Sequence, residues 1–300
     1  MDQEQRNRTE PVPGRESAGG LVAFFALTFA VTWTCFITAA ALSCSLPAGA
    51  SPGLGVRALA LLGTIAPSLV ALALTRRAEG GTAVRRLLGR IFQWRVSLWY
   101  YIFAIGYMAA VKLTVAVLDR LVTGSWPHFW EEPWYVMAVA ITISTWVQAG
   151  EEIGWRGFAL PRLAERWGLA TASIVLGAIW ALWHLPLFYV HGADTYGQSF
   201  PAYLLQVIAF SVAMAWLYSR TRGSLLLVML MHASINNTKG IVPTTPRPAG
   251  NPLAPGASLM TWLGVAVVGA VAILILARMH RAGLTRPVPR ERFYAGSAIV

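Results

Sequence analysis

Apolar stretches of about twenty residues recur along the chain, and each is long enough to cross the ~30 Å hydrocarbon core of a bilayer. Their limits fall near 21–43, 54–75, 98–118, 134–160, 169–190, 201–219, 223–240 and 258–277. Composition agrees. Of the 300 residues, 56% are hydrophobic and 12% charged; a soluble domain carries about twice that charged fraction. The expectation is an all-α, polytopic bundle of about eight transmembrane helices.

Basic residues test this division. Arg6, Arg8 and Arg15 precede the first span. Arg76, Arg77, Arg85, Arg86, Arg90 and Arg95 follow the second, Arg162 and Arg166 the fourth, and Arg220 and Arg222 the sixth. Arg278, Arg281, Arg286, Arg290 and Arg292 follow the eighth. The alternate loops hold only Arg57, Arg120, Lys239 and Arg247. That asymmetry places both termini in the cytoplasm. It also assigns the net charge of +11 to topology and anionic lipid rather than to nucleic acid. Residues 1–20 read as a disordered tail, 21–277 as one membrane-embedded domain, and 278–300 as a basic cytoplasmic tail. Within the long basic loop, Val84, Leu87, Leu88, Ile91 and Phe92 recur at helical spacing, which predicts a short amphipathic helix on the cytoplasmic face. Trp94, Trp99, Trp126, Trp130 and Trp134 lie near span ends, as interfacial belts require. Cys35 and Cys44 form no metal-type pair and no disulfide framework.

Ionisable side chains inside spans cost several kcal/mol, so they mark function or a specific pairing. Three groups stand out. Glu152 and Arg156 are four apart on one helical face and would pair, while Glu151 points elsewhere without a local cation and suits a general base. His184 lies in the next span, two residues before Pro186, which kinks or ends the helix and frees a carbonyl beside it. His232 and Asn236 are four apart in the seventh segment, and both can donate hydrogen bonds. Each group has a plainer reading, as an ion pair near a helix end or as interhelical polar packing. Their depths argue for more. At ~1.5 Å per residue, Glu151, His184 and Asn236 each lie ~20 Å in from the cytoplasmic end of their segment.

The motifs Glu151-Glu152-x-x-x-Arg156, Trp180-x-x-x-His184 and His232-x-x-x-Asn236 resemble those of the CAAX prenyl protease and bacteriocin-processing (CPBP, or Abi) family of intramembrane proteases. Gly157-Phe158, Pro161-Arg162, His184-Leu-Pro186 and His232-Ala-Ser are similar to it as well, over a core of 134–240. The resemblance implies that Glu151, Glu152, Arg156, His184, His232 and Asn236 form the site. It implies hydrolysis of a peptide bond in a membrane-associated protein or peptide, of prenylated CAAX type in one branch, within a prokaryotic plasma membrane. One departure is visible: the second motif usually opens with Phe, and Trp180 stands here. Members of the family are often labelled metalloproteases, so Glu151, His184 and His232 are candidate zinc ligands; the compact His-Glu-x-x-His helix motif is absent. Two other classes use the same residues: a transporter with a polar pathway, and a non-catalytic immunity-type membrane protein.

Overall fold

A computed structural model describes residues 15–44, 53–129, 133–190, 193–238, 241 and 252–294. The described residues are helical throughout their regular structure, with no strand among them. The helices are α1 (Arg15–Cys44), α2 (Leu54–Gly89), α3 (Leu98–Thr123), α4 (Trp134–Val147), α5 (Ala149–Glu152), α6 (Leu160–Trp183), α7 (Phe200–Arg220), α8 (Leu225–Thr238) and α9 (Leu259–Arg281). A π-helical turn, Ile153–Ala159, joins α5 to α6. Every predicted apolar segment overlaps at least one of these helices, with different bounds: the fourth is divided among α4, α5 and the π turn, and α6 begins at Leu160 rather than near residue 169. Residues 1–14 and Trp130 lie outside the described set; α1 begins at Arg15, inside the stretch expected to be a tail.

Among the described residues, six stretches are long and apolar enough to cross a membrane: Gly19–Ser43, Leu54–Phe92, Leu98–Thr123, Trp134–Tyr189, Phe200–Arg220 and Leu259–Arg281. Trp134–Tyr189 has 56 residues, over twice what one ~30 Å crossing needs at ~1.5 Å per residue. It reverses at Gly168, whose φ of 76° and ψ of 161° leave helical space. A side chain there would be strained by the positive φ and would meet the Thr285 backbone at 2.4 Å. Leu225–Thr238 is apolar but shorter. The chain is an integral, multi-pass membrane protein.

The helices differ in what they face. In its most apolar window, 61% of α7 is buried within the protein, against 17% of α9. Such a low share leaves most of α9 to lipid, while α7, α8 and the hairpin about Gly168 form the interior. Trp155, Trp183, Leu169, Leu176, Met214 and Tyr218 are fully enclosed there. Tryptophan therefore serves two ends. Trp94, Trp99, Trp126 and Trp134 are exposed, as a belt requires, whereas Trp155, Trp180 and Trp183 are core.

The basic connections gather at one end of the bundle. Gln93 donates to the Thr221 carbonyl at 2.9 Å, Ser224 to the Gln93 carbonyl at 2.7 Å, and Arg220 to the Tyr100 hydroxyl at 3.2 Å. Glu79 pairs with Arg162 and Arg290, and Glu165 with Arg290. The predicted amphipathic helix is the last leg of α2, set off by a break at Gly80; it buries Ala83 and Leu87, with Ile91 just beyond, while Phe92 is exposed. The chain after α9 folds back over this end. Ala170 N–H donates to the Leu284 carbonyl, Val288 N–H to the Ala164 carbonyl, and Phe293 is wholly buried. The turn at Gly168 is thereby clamped from outside.

Candidate active site

Glu151 and Glu152 end α5, and Arg156 sits inside the π turn; they are 5%, 0% and 0% exposed. Neighbouring α2 approaches closely here. A Cβ at Gly154 would meet the Pro67 carbonyl oxygen at 2.6 Å, and Ser68 donates to the Ala149 carbonyl at 2.6 Å. Wide π turns of this kind recur at functional sites. The expected pair forms: Arg156 Nη1 donates to both Glu152 oxygens, at 2.9 and 3.2 Å. Its Nη2 reaches Met214 Sδ at 3.3 Å, and its guanidinium carbon lies 4.3 Å from the centre of the Trp180 ring.

A second partner of Glu152 comes from α8. His232 Nδ1 lies 2.8 Å from Glu152 Oε1, with His232 only 3% exposed. Arg156, Glu152 and His232 thus form one buried, charge-assisted chain across two helices, the geometry in which a carboxylate keeps its acceptor sites satisfied.

On the other side of the site, α6 ends. His184 N–H bonds to the Ala181 carbonyl, three residues back, as the helix tightens into a 3-10 turn over Leu185–Tyr189. That leaves the Trp180 carbonyl, four residues back, without its usual backbone donor. The His184 ring takes its place, with Nδ1 at 2.8 Å. A carbonyl only accepts, so Nδ1 carries the proton and the lone pair of the neutral ring is on Nε2. The sequence expectation of a freed carbonyl beside His184 is met, two residues further back than Pro186 itself would free one.

Trp180 touches every corner. Its Nε1–H donates to Glu151 Oε2 at 2.8 Å. Its ring stands edge-to-face with His184 at 5.7 Å and His232 at 5.0 Å between centroids. Trp183 and Tyr203 complete the wall around His184, at 4.6 and 5.6 Å. Five of the six candidate residues are therefore linked through this indole or through Glu152. Asn236 is half-buried one turn beyond His232, and among the described residues no hydrogen bond joins it to the other five. Sequence reasoning missed the Glu152–His232 contact and the Trp180 N–H; the one signal for the second was the departure from Phe.

A zinc ion needs three protein ligand atoms converging at about 2.0–2.2 Å. Among the described residues, no three His, Cys, Asp or Glu side chains are grouped to hold a metal. The Trp180 indole adjoins all three candidate ligands, and its N–H already occupies one Glu151 oxygen. As placed among the described residues, Glu151, His184 and His232 are not grouped as a zinc ligand set.

Fold and site together define a class: a helical membrane protein with a buried Glu, His and Arg constellation held between its interior helices. Residues 131–238 match the family model described as type II CAAX prenyl endopeptidase Rce1-like. That stretch contains all six candidate residues. The chain is 26% identical over 238 residues to CAAX prenyl protease 2 of Methanococcus maripaludis, covering 74% of this chain and 84% of that protein. Both findings support the resemblance read from the motifs, to the CPBP family of intramembrane proteases.

Proposed function

We propose that this chain is an intramembrane endopeptidase that hydrolyses a peptide bond of a membrane-associated protein or peptide, in the plasma membrane of a prokaryote with both termini in the cytoplasm. The name of the Methanococcus maripaludis relative favours a substrate with a prenylated, CAAX-type C-terminal tail. The observation that carries the reading is the placement of Glu151 and His184 on either side of one indole, beside a buried Arg156–Glu152–His232 chain.

In this mechanism Glu151 and the Nε2 lone pair of His184 hold a water and take its proton as its oxygen adds to the scissile carbonyl. The negative charge then sits on the former carbonyl oxygen. His232 and Asn236 donate to it. Because Nδ1 of His232 is held by Glu152, donation from Nε2 requires a ring carrying both protons, and the carboxylate is the partner such a ring needs. Arg156 keeps Glu152 in place. Collapse breaks the C–N bond, and the proton first removed from water passes to the leaving nitrogen. Each oxyanion donor of this kind is worth about 3–4 kcal/mol.

The test is cleavage by purified protein in liposomes, using a prenylated CAAX-type peptide and its unprenylated twin. Glu151→Gln keeps the size and the acceptor for Trp180 but removes the base, and cleavage falls to background. Full cleavage by that variant overturns the reading. Reaction in H2 18O places one heavy oxygen in the new carboxylate. Exhaustive chelation leaves the rate unchanged; loss of activity restored by added zinc would replace this mechanism with a metal-dependent one.

A further inference from the structure

Position 180 is the one place where the motif set departs from its usual pattern, and it is also the residue on which the site converges. We infer that Trp180 is a positioning residue for the reaction: its indole N–H fixes the Glu151 carboxylate while its carbonyl fixes the His184 ring. The inference rests on the proposed hydrolysis and goes beyond it, because it gives one side chain an assignment that a phenyl ring cannot fill.

The geometry supports each half. Nε1–H to Glu151 Oε2 is 2.8 Å, between groups that are 3% and 5% exposed. In such surroundings water does not compete for the bond, and a hydrogen bond to a carboxylate is charge-assisted and among the stronger ones available. Oε2 being occupied, Oε1 is the oxygen left to receive the proton of the attacking water. The carbonyl of the same residue accepts from His184 Nδ1 at 2.8 Å, which fixes the ring orientation and puts the lone pair of the neutral ring on Nε2. Two groups that must meet one water molecule are thus referenced to one residue at the end of α6. Small misplacements of reacting groups cost large factors in rate, so a common anchor is an effective way to hold both. The indole is itself held. Its face takes the Arg156 guanidinium at 4.3 Å, and His232 packs against it at 5.0 Å. Phe would preserve the wall and the guanidinium contact but leave Glu151 Oε2 without its donor.

The experiment separates donation from packing. Trp180 is replaced by Phe and, by non-natural incorporation, by benzothienylalanine, in which sulfur stands for the indole N–H at nearly unchanged shape. In liposomes the sulfur variant loses about tenfold to a hundredfold in kcat, the range for losing a hydrogen bond to a charged group, while KM stays at the parental value; melting temperature falls in both variants, because a buried carboxylate oxygen loses its donor, so the split between kcat and KM is the deciding readout. Trp180→Phe shows at least as large a loss in kcat. A spectroscopic mark accompanies this: the indole N–H proton resonance that disappears in Trp180→Phe moves upfield in Glu151→Ala. Parental kcat in the sulfur variant, or a resonance indifferent to Glu151→Ala, overturns the inference while leaving the Glu151-dependent hydrolysis standing. If Glu151→Gln cleaves at the full rate, the hydrolytic reading fails and this inference fails with it.

Discussion

The two imidazoles of the site are held by opposite kinds of partner. His184 sits where a helix gives out, is half-buried, and gives its Nδ1 proton to a neutral carbonyl. His232 sits within the continuous helix α8, is almost fully buried, and has its Nδ1 on a carboxylate that also binds Arg156. Both contacts are 2.8 Å. The difference lies in the charge of the partner. A carbonyl fixes a tautomer and leaves a lone pair on the far nitrogen, as a base needs. A carboxylate can also balance a ring that carries two protons, as a donor to an oxyanion needs. The division of labour proposed for two identical side chains thus follows from what stands behind each.

Three substitutions sharpen or break that contrast. The largest effect is expected for His184→Ala, which removes a base and lowers kcat by about 10²–10⁴-fold. Its melting temperature falls less than that of His232→Ala, since His184 is half-buried and its Nδ1 bonds to a neutral carbonyl; a small loss of rate with a large loss of stability would make His184 a packing residue. Next comes His232→Ala, with a fall in kcat of about 10²–10³-fold for a lost oxyanion donor. This variant also unfolds more easily, by about 1–3 kcal/mol in denaturant titrations, because a buried carboxylate loses one of its two partners. Equal stability of the two variants would erase the proposed asymmetry. The smallest effect belongs to Trp33→Phe. Trp33 Nε1 donates to the Trp183 carbonyl at 3.2 Å, next to His184, so about 0.5–1.5 kcal/mol of stability is lost with kcat nearly unchanged.

Much of this was readable from residues alone, for identifiable reasons. Span positions follow from runs of apolar side chains because the bilayer rewards hydropathy over a fixed length. The Glu152–Arg156 pair follows from helical spacing. The agreement in depth of Glu151 and His184 also holds, since they lie on opposite legs of the hairpin at similar distances from Gly168. The Glu152–His232 contact was not readable, because it depends on how α8 is rotated about its axis against α5, which spacing within either segment does not encode. The Trp180 bond was hidden for a related reason: thirteen tryptophans in a membrane chain suggest belts, and only the enclosed position of Trp180 turns its N–H into a donor to Glu151. Three convergent clusters suggested a zinc set equally well, and that an indole adjoins all three prospective ligands is a feature of tertiary placement alone.

The chain beyond α9 carries a practical consequence. Leu284 and Val288 accept and donate backbone bonds across the Gly168 reversal, and Thr285 lies against that glycine closely enough to leave no room for a methyl group. Glu151 and His184 are spaced by the two arms that spring from this bend. A purification handle fused directly after Arg281, or a trimmed version ending there, would therefore loosen the angle between the arms and blunt the proposed turnover from some 20 Å away.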